Sequence, residues 1–377
     1  MIFDANHGAW IEAHEKEHLE LLLTLAQIPA PSNQEEKRAE FICKWLHGCG
    51  GEAAWIDEAL NVVLPLGVTD NNPLVVFAAH SDVVFPDTEP LPLRMEGDKI
   101  YCPGVGDDTA SVAALLMCAK YLLETGLQPK NCGILLVIDS GEEGLGNLKG
   151  IRHLFDRFGS RIREFISFDG GECRCVNRAV GSKRYRIAID TEGGHSYGAF
   201  GNRNAIAYLA SLIDTLYTIK VPPLGKTTYN VGTISGGTSV NTIAQHAEML
   251  YEFRSDEADA LAVMERHLDA ALEFYRTKGI TVTAELVGHR PCSGSVDEDT
   301  MNAMTVRAQE ATQRHYGREL TFASGSTDCN IPLSRGIAAL CLGVYRGRGA
   351  HTREENIDID SLIPGVKFLF DVVLHHF

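Results

Sequence analysis

The chain has 377 residues, 45% of them hydrophobic and 22% charged, enough to bury one large core or two without staples. A formal net charge of −16 argues against a nucleic-acid partner, which needs clustered Lys and Arg, and gives no attraction for an anionic membrane surface. Ten irregularly spaced cysteines form no paired CxxC zinc pattern, the N-terminus shows no basic-then-apolar leader, and no apolar run is bilayer length, so a cytoplasmic protein in a reducing compartment is expected.

Residues 11–28 and 35–47 carry apolar positions at helical period, separated by Pro29 and Pro31, with Ser32 and Glu35 spaced as a capping box. "PLVVFAAH", ending at His80, is continuously apolar and predicts a strand buried on both faces. A helix is predicted over 111–123, a buried strand over 133–138, a helix over 148–158 and a strand over 164–168. After a change of pattern near 181, "KRYRIAIDTEG", "TTYNVGTISGG", "AEMLYEFRSD" and "ITVTAEL" read as strands, with helices at 205–217 and 258–278. That β-α-β-β-α-β order predicts a ferredoxin-like α+β unit inserted into the first domain. The C-terminal part returns to a helix at 300–314, a strand at 338–344 and an amphipathic helix at 359–377. The expected fold is therefore α/β: a mixed central sheet with helices on both faces over 1–180 and 291–377, plus an inserted domain at 181–290.

Polar chemistry is concentrated where strands end. His80 and Asp82 close the first buried strand, Asp107 and Asp108 open the helix at 109, Glu142 and Glu143 follow the strand at 133–138, and Asp169 follows the strand at 164–168. His351 sits in a glycine-rich loop after the strand at 338–344. In open α/β sheets, sites form at the carboxyl ends of strands. Any one of these residues could be a cap, a turn or a satisfied core histidine. Together they place several carboxylates at one sheet edge, which is costly unless cations neutralise them. Two histidines with three or more carboxylates form a hard, mixed N/O ligand set suited to Zn²⁺, with Mn²⁺ or Co²⁺ as alternatives. In the Glu142–Glu143 doublet one glutamate can bind metal while the other takes a proton from water.

In order along the chain, His-x-Asp, Gly-x-Gly-Asp-Asp, Gly-Glu-Glu-Gly, Asp-Gly-Gly and a late His resemble the dinuclear zinc exopeptidase family, which includes carboxypeptidase G, peptidase T, carnosinase, aminoacylase and succinyl-diaminopimelate desuccinylase. The resemblance runs from "IPAPSNQEEKRAEFICKWL" through the inserted "GGHSYGAFGNRNAI". It implies two Zn²⁺ per chain, one bound by His80 and Asp169, the other by Glu143 and His351, with Asp107 bridging them. It further implies that Asp82 orients the His80 ring, that Glu142 is the general base and then acid, and that the Asp107–Asp108 peptide is cis. The inserted domain resembles the family's lid, which implies a homodimer formed through it. His195 would stabilise the oxyanion from the lid, with Asn241, Arg254 and Gly325 among the substrate contacts. Asp328 reads equally as a helix N-cap.

Thr109 stands where many members carry Lys, which weakens a subfamily assignment. An aspartate at position 169 accompanies the di- and tripeptidase branch, so hydrolysis of short peptides with a free N-terminus is the expected activity. An N-acyl-amino-acid deacylase is the alternative, and a non-catalytic binding relative a further one. A metallophosphoesterase is disfavoured because no Gly-Asn-His-Glu/Asp segment occurs.

Overall fold

A computed structural model describes residues 2–377. The chain divides into two compact units: residues up to Arg178 together with Gly294–Phe377, and Ala179–Ser293.

The first unit is built on an eight-stranded sheet. Four strands at its centre run parallel: Gly133–Asp139, Leu74–His80, Ile162–Phe168 and Ala338–Leu342. Val62–Leu66 pairs antiparallel on one side and Arg174–Ala179 on the other. Every residue of Leu74–His80 is buried. Val75, Phe77 and Ala79 join a core with the helices Ser111–Thr125 and Leu362–Leu374. Leu74, Val76 and Ala78 are buried too but lie outside that core. The sheet is thus covered on both faces, which is why the strand reads as an unbroken apolar run. On the other face Phe155, from the helix Lys149–Phe158, meets Phe165 with ring centroids 5.8 Å apart. A small four-stranded sheet pairs Asn356–Asp358 with Lys99–Tyr101 and so ties the His351 loop to the segment leading into Asp107.

The second unit is a four-stranded antiparallel sheet in the order Thr227–Gly236, His246–Ser255, Gly181–Asp190, Thr281–Arg290. The helices Ala205–Leu216 and Ala258–Thr277 share its core. Ala247, Met249, Tyr251 and Phe253 are buried while the residues between them are not, the alternation of a strand with one covered face. The β-α-β-β-α-β order is the one expected.

Two local expectations fail, and one helix is additional. The helix Glu36–Gly48 starts without a side-chain cap. Ser32 Oγ donates to Asp82 Oδ2 at 2.6 Å instead, and Glu35 Oε1 accepts from the Asn33 N–H at 2.8 Å, so a tertiary bond displaces the capping box. The C-terminal helix, Leu362–Leu374, is buried from Phe368 through Leu374 rather than amphipathic, because it lies between other helices of the core. An additional helix, Ala5–Ala13, precedes the first expected one and is capped by Asp4 and His7. Among the described residues no helix is long and apolar enough to cross a membrane.

Candidate metal centre

The parallel strands bring their carboxyl ends to one edge. His80 is the last residue of its strand, in register with Asp139 on the neighbour that leads into Glu142 and Glu143. Asp169 follows Phe168, and its N–H donates to the Leu342 carbonyl at 3.0 Å, so the strand leading to His351 ends beside it. Asp107 and Asp108 precede the buried helix Ser111–Thr125, and the peptide between them is cis, as expected.

His80, Asp107 and Glu143 bring ligand atoms within 4.8 Å of one another. Asp107 stands between two histidines. Its Oδ1 lies 3.1 Å from His80 Nε2 and its Oδ2 lies 3.2 Å from His351 Nε2. His351 Nε2 also lies 2.8 Å from Glu143 Oε1. Asp108 turns away and accepts the His80 backbone N–H at 3.1 Å.

His80 Nδ1 lies 3.0 Å from the Asp82 backbone carbonyl. A carbonyl only accepts, so Nδ1 carries a hydrogen, which leaves Nε2 as the nitrogen that faces Asp107. Asp82 thus takes the ring N–H through its backbone carbonyl, with the carboxylate Oδ1 farther from the ring, at 3.5 Å. The two residues share an extended end in which the carbonyl is the closer group. The carboxylate has other work: Oδ1 accepts the Glu142 N–H at 2.9 Å, and Oδ2 accepts the Glu143 N–H at 3.0 Å and Ser32 Oγ. Asp82 therefore pins the glutamate doublet.

The electrostatics of the cluster are those of a cation site. Burial pulls the His80 pKa down, but the Asp107 and Asp82 carboxylates outweigh it and hold the ring well above its ordinary value. Asp107 and Glu143 push His351 up to about 10. Burial would raise Asp107, yet His351 and His80 hold it below the usual carboxylate range. Asp169 goes the other way, pushed up to about 8 by burial and then by the charge of Asp107. The carboxylates thus outnumber the positive charge the two imidazoles can supply. Divalent cations on the two sides of Asp107 would supply the rest, and the donor set of imidazole nitrogen and carboxylate oxygen fits them.

Several supporting residues escaped the sequence reading. Glu355 accepts the N–H groups of Gly104, Gly106 and Asp107 at 2.8, 2.9 and 2.8 Å and so shapes the loop that carries Asp107. Burial still pushes its pKa up to about 7. The only sequence sign was its place four residues after His351. Arg38, 1% exposed, donates to the carbonyls of Leu25, Ile28 and Ser81, bracing the backbone just beyond His80. Asp328 is no N-cap: the short helix Asn330–Ser334 starts at Cys329 without a side-chain cap. It is buried against Asp139 instead, and burial raises both, Asp139 to about 7.

In the second unit, His195 pairs in register with Thr242, and the Ser196 N–H donates to the Asn241 carbonyl at 2.9 Å, so His195 and Asn241 lie together. His195 Nδ1 accepts the N–H groups of Tyr197 and Gly198 at 3.3 and 3.2 Å, which leaves Nε2 as the outward nitrogen. Arg254 is not with them. It pairs with Glu252 at 2.9 Å and sits opposite Ser182, whereas His195 follows the other end of that strand, roughly 26 Å away along it. Gly325 has a packing reason in the first unit, since a Cβ there would approach Val176 Cγ2 to 2.9 Å.

A family model described as peptidase family M20/M25/M40 matches residues 76–375. The chain belongs to peptidase family M20/M25/M40. Membership makes it a hydrolytic enzyme of the metallopeptidase and amidohydrolase class. Among curated relatives, the uncharacterized protein YqjE of Bacillus subtilis is 23% identical over 376 residues, covering 96% of this chain and 98% of that one. A putative succinyl-diaminopimelate desuccinylase of Mycobacterium tuberculosis is 23% identical over 363 residues, covering 93% and 96%. Among solved structures, a tripeptidase from Staphylococcus aureus superposes with a TM-score of 0.75 at 23% identity, covering 95% of this chain and 97% of that chain. The dipeptidase Dug1p of Saccharomyces cerevisiae superposes with a TM-score of 0.77 at 17% identity, covering 98% and 97%. These superpositions establish the fold.

Proposed function

We propose that the protein hydrolyses short peptides at a dinuclear zinc site, as an aminopeptidase or a di- or tripeptidase. The observation that carries this reading is Asp107 offering one carboxylate oxygen to the side of His80 and the other to the side of His351. His80 and Asp169 would hold one ion, Glu143 and His351 the other, with Asp107 between them. When bound, the ions polarise the scissile carbonyl and make water acidic enough to attack at neutral pH.

The remaining work falls to the chain. Asp82 holds the backbone of Glu142 in place, and Glu142 takes the proton from the attacking water and returns it to the leaving nitrogen. His80 keeps its Nδ1 hydrogen on the Asp82 carbonyl throughout, so its Nε2 stays a ligand. His195 donates from Nε2 to the developing oxyanion, and Asn241 lies beside it for substrate polar groups. The engaged state of Arg254 favours a structural role in its strand.

The second unit acts in this reading as a lid through which two copies associate. Its outer strand, Thr227–Gly236, has no buried residue and ends the order of its sheet, which supports pairing with a second copy. The free cysteines, several of them in the core, support a cytoplasmic location.

Glu142→Gln tests the mechanism. Bound zinc should stay near two per chain while kcat falls by about 10²–10⁴. Loss of metal together with activity would mean that the two glutamates have exchanged roles. Desuccinylases among the relatives favour N-acyl-amino-acid deacylation as a second reading. Tripeptides with free amines, set against N-acyl amino acids, separate the two, and turnover of the acylated compounds alone would overturn the peptidase assignment.

A further inference from the structure

We propose that Arg174 and Arg348 form a subsite that recognises a carboxylate on the substrate, next to the reacting amide. This rests on the hydrolase reading above and deepens it by naming the charge of the substrate.

A cavity of about 320 Å³ opens beside Asp107 and Asp169, within the first unit. Arg174, at the start of the strand Arg174–Ala179, and Arg348, on the short strand Gly347–Arg348, both line it. Among the described residues neither side chain has an ion pair or a side-chain hydrogen bond. Both side chains are exposed to the solvent that fills the cavity. The arginines around them are satisfied. Arg346 pairs with Asp358 at 2.7 Å and with Asp360 at 2.5 Å, Arg353 pairs with Asp87 at 2.7 Å, and Arg318 pairs with Glu172.

Three acids share the cavity, and Asp169 is one of the residues that would hold metal. Asp107 is engaged by two histidines, and Glu355 accepts three backbone N–H groups. The two guanidiniums are therefore left to face the space a ligand would fill. A guanidinium is always charged, and its planar fork matches a carboxylate in a bidentate pair. Two of them in one cleft repel a substrate's ammonium group and attract its carboxylate. The portion of the substrate on this side of the cluster is then the anionic one. The carboxylate is either the side chain of an acidic residue or a free C-terminus.

Matched substrates distinguish these sources. Ala-Glu against Ala-Gln tests the side chain, and Ala-Ala against Ala-Ala amide tests the terminus. For one of the two pairs, wild-type kcat/KM should favour the carboxylate member by about 10- to 100-fold, the range of a hydrogen bond to a charged group. That ratio should shrink toward one in the double variant Arg174→Ala, Arg348→Ala, chiefly through KM, and be partly kept by the lysine variants. Binding of N-acetylglutamate and N-acetylglutamine to the Glu142→Gln protein, measured by calorimetry, is the second readout. The glutamate compound should bind more tightly, and the arginine substitutions should remove the difference. No preference for the carboxylate member in either pair, or a preference that survives the double substitution, would overturn the proposal. If no amide in the panel is turned over, the hydrolase reading fails, while calorimetry still decides whether the two arginines bind a carboxylate.

Discussion

Asp82→Asn is the most informative single substitution, because it alters hydrogen-bonding chemistry at nearly constant volume. The carboxylate accepts three bonds from buried or half-buried donors: the N–H groups of Glu142 and Glu143 and the Ser32 hydroxyl. An asparagine has one oxygen with which to replace two. If that oxygen keeps Ser32 and Glu143, its amide nitrogen faces the Glu142 N–H, donor against donor. A buried donor left without a partner costs about 1–3 kcal/mol. For a protein of this size that lowers Tm by roughly 1–4 °C. The same loss frees the backbone of the glutamate doublet, and disturbing such supporting bonds typically costs about 10–100-fold in metal affinity or activity. His80 should keep its tautomer, because its Nδ1 partner is the Asp82 carbonyl, which the substitution retains. Calorimetric melting, zinc content by mass spectrometry and steady-state kinetics on a dipeptide read these effects separately. Wild-type kcat and Tm in Asp82→Asn would refute the reasoning. So would an equal effect from Ser32→Ala, which removes only the hydroxyl bond.

Glu355→Ala should strip three N–H groups of their acceptor and loosen the Asp107 loop. Weaker zinc retention on dialysis, with a lowered Tm, is the expected result. His18 is 3% exposed, its Nε2 has no partner, and burial lowers its pKa to about 4. The unfolded chain takes up a proton below about 6.5, where the folded protein does not. Stability from this residue is therefore complete above about 6.5 and is lost as pH falls toward 4. His18→Leu should flatten the denaturation profile across that window, and an unchanged slope would show that His18 is not responsible. A chelator should abolish activity, and zinc should restore it.

Most of the candidate centre was legible because most of the proposed ligands sit at or beyond the end of an apolar run. His80, Glu143, Asp169 and His351 follow strands whose burial on both faces leaves a continuous hydrophobic signature. Asp107 was legible from its glycine-flanked doublet at a helix start. Residues that act across the fold left no such mark. Ser32 looked like a cap because local spacing cannot reveal an acceptor 50 positions away. Glu355 supports Asp107 from 248 positions away, and the buried Asp139–Asp328 pair joins two segments with no shared pattern. Arg174 and Arg348 stand out only when the partners of the surrounding arginines are known. The helix Ala5–Ala13 lacks a clear apolar stripe, since His7 and Ile11 are its only buried residues.

The central claim is that Asp107 lies between two metal ions. Anomalous diffraction at the zinc edge, from crystals of the purified protein, tests it most directly. Two peaks are expected, one shared by His80, Asp169 and Asp107 and the other by Glu143, His351 and Asp107. A single peak, or none within ligand distance of the Asp107 carboxylate, would contradict the account.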